Sequence, residues 1–191
     1  MTDTPTPPST VLRQTAPRHP EWHRHTSRRR QQLLTHMDTL AQQINDLDTT
    51  IDNLADNTRI NNLYDAIPDV GDTPTPAEWL TRRAAQTEHQ LAVLRRDVAH
   101  REAVLRQTCL TCELVEAEMQ VGQLDDLTEG GPYAAGNEPL MQVMALDVRL
   151  AALAAGHEQA SLDIAREQLR LIEQVRRELT AALRKVSRAA K

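Results

Sequence analysis

Cys109 and Cys112 are the only cysteines of the 191-residue chain, and their spacing is that of a zinc or redox pair. A structural zinc site needs further ligands, but the sequence has no second such pair and no nearby histidine to complete it. A redox cysteine gains reactivity at a helix N-terminus, where the helix dipole lowers its pKa. Both cysteines fall in the middle of a predicted helix, so we interpret them as small apolar residues on its packing stripe.

A second candidate site is the basic segment between residues 18 and 30. Its arginines and histidines are Arg18, Arg24, Arg28, Arg29, Arg30, His19, His23 and His25. Arginine clusters of this kind bind phosphates, with an affinity that falls steeply as salt rises. The other interpretation is that these arginines pair with acidic residues of the same chain. The net charge of −5 favours this pairing, because a negatively charged protein repels a polyanion. Three histidines in a flexible segment are a weak metal site, and we predict no metal.

Three further histidines do not indicate a catalytic site. His89, His100 and His157 lie along predicted helices, and no carboxylate or serine at a telling spacing marks a catalytic partner. The sequence also lacks a Gly-rich phosphate loop, a nucleophile elbow and a metalloprotease motif. We therefore predict that the chain is not an enzyme, that it has no catalytic or cofactor-binding residue, and that it uses no cofactor and no small-molecule substrate.

The elements that position these residues are predicted to be helices. The chain has no Phe, two Trp and two Tyr, too few large rings for a thick globular core. Apart from Gly122 and Gly156, its glycines and prolines lie in the N-terminal arm, in residues 68–76 and in residues 130–139. The composition therefore indicates an all-α fold.

The sequence predicts a flexible Pro-rich arm over residues 1–19 and an elongated three-helix bundle over residues 20–191. The helices are predicted to span about 20–66, 76–124 and 138–188. The second helix has the clearest start, because Thr75 and Glu78 form a capping box around Pro76. Asn137 is a plausible cap for the third helix.

In the first predicted helix the apolar residues alternate in steps of four and three, as in a coiled coil. This predicted seam consists of Leu33, Met37, Leu40, Ile44, Leu47, Ile51 and Leu54. Beyond Leu54 the pattern slips, because residue 58 is Thr and the apolar set moves on to Ile60 and Leu63. A stutter or a local bend is expected there.

The apolar residues of the third predicted helix change phase along its length. The first set is Leu146, Leu150, Leu153, His157, Ala160 and Ile164, and the later set is Leu169, Ile172, Val175, Leu179, Ala182 and Val186. We interpret the two sets together as the packing stripe of that helix.

Short connections predict that sequential helices are antiparallel neighbours in an up-down-up bundle. The order of charges agrees with this topology. Residues 1–30 hold six arginines against two acids, whereas residues 113–138 hold seven acids and no base. The basic start of the first helix would then lie beside the acidic second connection. Each such contact at the surface is worth about 0.5 kcal/mol.

These patterns favour a non-enzymatic structural or assembly protein that self-associates through its helical seams or docks into a larger complex. A phage or viral particle component is one concrete example. The alternative is a nucleic-acid-associated protein that uses the Arg/His-rich arm, and a second alternative is an adaptor or chaperone for a helical partner. The N-terminus lacks the apolar core of a signal peptide and no apolar run reaches membrane-spanning length, so we expect a cytoplasmic or particle-enclosed protein.

Overall fold

The structure, a computed structural model, describes residues 20–128 and 138–189, with side-chain positions for residues 24–125 and 142–189. It contains four helices: α1 (Pro20–Leu54), α2 (Thr58–Asp65), α3 (Pro76–Thr128) and α4 (Glu138–Ala189). No strand occurs in these two ranges, and three of the helices are long, which confirms the predicted all-α class. The predicted arm over residues 1–19 and the predicted cap at Asn137 lie outside the described residues.

The helix predicted over about residues 20–66 is interrupted. α1 ends at Leu54, and residues 55–57 connect it to the separate helix α2. The carboxylate of Asp56 accepts hydrogen bonds from the backbone N–H of Thr58 at 2.9 Å and from its hydroxyl at 2.6 Å. Because Asp56 satisfies one of the free N–H groups at the start of α2, the chain begins a new helix here instead of continuing the first.

The start of α3 is the predicted capping box. The backbone N–H of Thr75 donates to Oε2 of Glu78 at 2.8 Å, and the backbone N–H of Glu78 donates to Oγ1 of Thr75 at 3.3 Å. α3 begins at Pro76 as predicted and continues to Thr128, four residues beyond the predicted end. α4 closely matches its predicted span of 138–188.

The described residues divide into two compact units. Unit 1 takes its residues from the ranges 1–44 and 109–152, and unit 2 from the ranges 45–108 and 153–191. In unit 1, Leu33 of α1 shares a small core with Ala117 and Val121 of α3. In unit 2, Val98 of α3 shares a core with Leu162 and Ala165 of α4.

Three ion pairs give the direction of α4 relative to α3 within unit 2. Arg176 lies 3.7 Å from Glu88, Glu173 lies 2.9 Å from Arg95, and Arg166 lies 2.7 Å from Glu102. As the residue number rises on α3 it falls on α4, so the two helices are antiparallel in this unit.

Candidate interaction surface

The seam predicted on α1 is covered by the chain itself over its first half. Leu33 and Leu40 are 5% and 2% exposed, and Met37 packs against the unit 1 core. The other four members are half-buried: Ile44, Leu47, Ile51 and Leu54. The seam is therefore occupied by contacts within the chain at Leu33, Met37 and Leu40.

An exposed apolar row lies instead on one side of α4, and we call it the α4 outer face. Its members are Val143, Leu146, Leu150, Leu153, His157, Ala160 and Ile164, spaced alternately by three and four residues, and all are exposed. Leu150 is 63% exposed, Leu153 is 72% exposed and Ile164 is 63% exposed. The first apolar set of the third predicted helix is therefore not a packing stripe within the chain, because its leucines point to solvent.

The opposite side of α4 packs inward at the same level. Met144 and Leu162 are buried there, and between them Val148, Ala151 and Ala155 are half-buried. An amphipathic helix normally turns its leucines toward the core and its smaller residues outward. Here the order is reversed between residues 146 and 155, so this exposed apolar row is the candidate interaction surface of the described residues.

Two opposite charges and a glycine accompany the α4 outer face. Arg149 and Asp163 are exposed, and each directly precedes an apolar member of the row. Asp163 accepts a hydrogen bond from Gln159 at 2.9 Å and lies 3.9 Å from Arg166. Gly156 lies midway between Arg149 and Asp163, and a Cβ atom placed on it would meet nothing within 4 Å.

The arginines of the basic segment are used in different ways. In unit 1, Nε of Arg30 donates to Oδ1 of Asp125 at 2.7 Å, and this carboxylate raises the pKa of Arg30. Arg29 donates to Gln120 at 3.4 Å. Arg24 and Arg28 are exposed and form no hydrogen bond or ion pair with another described side chain. Arg18 lies outside the described residues.

Arg30 therefore takes the structural role that the sequence offered as the alternative to phosphate binding. It pairs with an acidic residue close to the second connection, as the order of charges along the chain suggested.

The two cysteines differ in exposure. Cys109 is exposed and Cys112 is half-buried. Burial raises the pKa of the Cys112 thiol, and the neighbouring Cys109, Glu116 and Glu113 raise it further. A raised pKa disfavours the thiolate, which is the reactive and metal-binding form. Within the described ranges, no group of three or more His, Cys, Asp or Glu side chains could hold a metal ion.

Unit 2 also contains an open cleft of about 500 Å³. Its lining residues are Glu88, Arg176, Arg177, Thr180, Ala181 and Arg184. The guanidinium groups attract anions, but Arg176 is paired with Glu88, and the Thr180 hydroxyl donates to the backbone oxygen of Arg176. The cleft therefore presents no activated nucleophile.

None of the helices in the described ranges is both long and apolar enough to span a membrane. No protein-family model, curated protein or solved structure matches the chain.

Proposed function

We propose that this chain is a non-enzymatic structural or assembly protein that acts by self-association, and that copies meet through the α4 outer face. The supporting observation is the row of exposed leucines on a helix whose half-buried side at the same level carries alanines. Removing apolar surface from water contributes about 25 cal/mol per Å², so covering this row stabilises an association.

The sequence favoured the α1 seam for this role. The burial of Leu33 and Leu40 within one copy argues against that seam, because both side chains are already covered and a partner could reach Leu33 only after α1 had separated from α3. The α4 outer face needs no such rearrangement.

The test is the solution mass across a tenfold range of protein concentration, measured by size-exclusion chromatography with light scattering. We expect the wild type to exceed the 21.5 kDa of one chain, and the variant Leu150→Glu/Leu153→Glu to return to that mass. The matched control is Trp79→Glu/Ser187→Glu, which adds two glutamates at exposed positions away from the α4 outer face and should behave as the wild type. Circular dichroism checks that helicity is unchanged.

Two outcomes contradict the proposal. A wild type that stays monomeric at every concentration overturns self-association. An oligomer that persists in Leu150→Glu/Leu153→Glu places the contact elsewhere. A monomer that binds a hydrophobic dye, and loses this binding in the same variant, favours the adaptor or chaperone alternative instead.

Nucleic-acid binding is the other candidate function, and one observation favours it. Arg24 and Arg28 are exposed and lie one turn apart on α1, where both guanidinium groups are available to phosphates. This function predicts retention on heparin that falls with salt and disappears in Arg24→Ala/Arg28→Ala. Unchanged retention in that variant rejects it.

A further inference from the structure

We infer that the two copies meet along the α4 outer face as an antiparallel pair, with the crossing point at residues 154–156. This inference rests on the proposed self-association. Beyond self-association, it specifies the direction of the partner helix, the register of the two helices and the residues that select both.

The residues of the α4 outer face are spaced as in the seam between two helices. Its members alternate by three and four residues from Val143 to Ile164, which is the heptad pattern of a two-helix seam. An antiparallel pair centred near residue 155 sets Leu146 opposite the partner's Ile164, Leu150 opposite the partner's Ala160, and Leu153 opposite the partner's His157. The same layers repeat on the other side of the symmetry axis, so every member from Leu146 to Ile164 has a partner.

Charge selects the direction of the second helix. Residues 149, 156 and 163 each directly precede a member of the α4 outer face. In an antiparallel pair these flanking positions of one helix face the equivalent flanking positions of the other. Arg149 then lies opposite the partner's Asp163, and the contact occurs twice by symmetry. In a parallel pair Arg149 faces Ala154 of the partner subunit and Asp163 faces Gln168 of the partner subunit, so no opposite charges meet, and the two His157 rings are stacked in one layer.

Charge also selects the register. A shift of one heptad in one direction sets Arg149 opposite the partner's Arg170, which is repulsive. The shift in the other direction sets Arg149 opposite the partner's Gly156 and leaves Asp163 opposite the partner's Gln142. The register centred on residues 154–156 is the one of these three in which opposite charges pair.

The antiparallel arrangement explains why a glycine occurs at position 156 inside α4. A glycine inside a helix costs about 1 kcal/mol relative to alanine, and a Cβ placed on Gly156 would meet no atom within 4 Å beyond its chain neighbours and the adjacent backbone of α4. At the crossing point Gly156 faces the partner's Gly156, and the exposed Ala154 faces the partner's Ala154. The absence of large side chains allows the two backbones to approach closely there.

The first experiment is a charge exchange followed by sedimentation velocity. Arg149→Asp alone sets Asp against Asp163, and Asp163→Arg alone sets Arg against Arg149, so each single variant should raise the dimer dissociation constant about tenfold or more. The double variant Arg149→Asp/Asp163→Arg restores opposite charges and should return the constant to near the wild-type value. Lys185→Asp, an exposed change near the end of α4, is the control and should have no effect.

The second experiment measures proximity. In a Cys109→Ser/Cys112→Ala background, Ala154→Cys should be joined to its counterpart by a short bis-maleimide, because both copies lie at the crossing point. Asp147→Cys should not be joined, because its two copies would be separated by about 20 Å along the helix axis. A parallel pair would join both variants equally.

The outcomes separate the two proposals. An oligomer in which the double variant fails to recover, or in which Asp147→Cys is joined as readily as Ala154→Cys, overturns the antiparallel inference and leaves self-association standing. A monomeric wild type overturns both.

Discussion

The guanidinium of Arg30 holds the carboxylate of Asp125 by two hydrogen bonds, from Nε to Oδ1 at 2.7 Å and from Nη2 to Oδ2 at 3.4 Å. The carboxylate side chain is 4% exposed, whereas the arginine side chain is 40% exposed. This pair joins α1 to α3 in unit 1. A buried carboxylate that loses a cation keeps the cost of its desolvation, so the pair matters more to folding than an ordinary surface contact.

Removing this cation should destabilise the fold. We expect Arg30→Ala to lower the free energy of unfolding by about 1–2 kcal/mol, because Asp125 stays buried without its main charged partner. Arg29→Ala, which removes one exposed hydrogen bond to Gln120, should change it by less than about 0.5 kcal/mol. Urea unfolding followed by circular dichroism measures both, and equal losses would contradict the structural role of Arg30.

Two leucines of α4 should respond very differently to the same truncation. Leu162 is 2% exposed in the unit 2 core, so Leu162→Ala should lower the free energy of unfolding by about 2–4 kcal/mol. Leu153 is 72% exposed, so Leu153→Ala should leave the unfolding of a single copy nearly unchanged. The comparison is made by urea unfolding in a Leu150→Glu background, once sedimentation velocity has shown that this variant is a monomer. A large loss for Leu153→Ala would show that its side chain packs within one copy.

The carboxylates at the starts of α2 and α3 should make the stability of the fold depend on pH. Hydrogen bonds from Thr75 lower the pKa of Glu78 from its usual 4.5, and hydrogen bonds from Thr58 lower the pKa of Asp56 from its usual 3.8. A carboxylate with a lower pKa in the folded state stabilises fully above its usual pKa, and this stabilisation is lost as the pH falls through the lowered value.

We therefore expect the melting temperature to fall as the pH is reduced below about 4.5, and to fall less in Glu78→Gln, which does not titrate. Thermal unfolding between pH 3 and pH 7 measures the difference. Identical pH profiles for the wild type and Glu78→Gln would show that the Glu78 cap does not contribute.

His157 should limit the affinity between copies. In the antiparallel arrangement it lies opposite the partner's Leu153, where a polar ring is less favourable than an apolar side chain. We expect His157→Leu to lower the dimer dissociation constant about tenfold, and His157→Lys to raise it. Because His157 is exposed in one copy, neither substitution should change urea unfolding much when it is made in the Leu150→Glu/Leu153→Glu variant, which we expect to be a monomer. A dissociation constant that is the same in all three proteins would place His157 outside the contact.

The sequence predicted local features well, because neighbouring residues determine them. The capping box of Thr75 and Glu78 closes within four residues, and the interruption after Leu54 follows a change in the apolar pattern at the same place. The order of charges along the chain indicated only that the basic start of the first helix would lie near acidic residues, and it did not single out the pairing of Arg30 with Asp125, which are 95 positions apart.

The sequence did not predict which side of α4 faces inward. The larger apolar residues suggested that the row from Leu146 to Ile164 faces inward. Which side of α4 is buried depends instead on contacts with residues that are distant in the sequence, and the pattern within α4 does not contain them. The inward side follows one heptad spacing, with Glu158 at the position between Ala155 and Leu162, and its apolar members include Val148, Ala151, Ala155, Leu162, Ala165, Leu169 and Ile172. The change of phase after Ile164 was the available signal, since an apolar stripe that jumps indicates two faces of one helix.

The separation of α2 from α1 has a consequence for local opening. α2 has eight residues and none of them is buried, and its described contacts include the Asp56 cap and an edge contact between the rings of Tyr64 and His89, whose centroids are 5.5 Å apart. So short a helix with so little covered surface opens at a low cost in free energy. Its amide hydrogens should exchange with solvent well before those around Leu91 or Leu162, so that α2 unfolds and refolds while the helices around it remain intact.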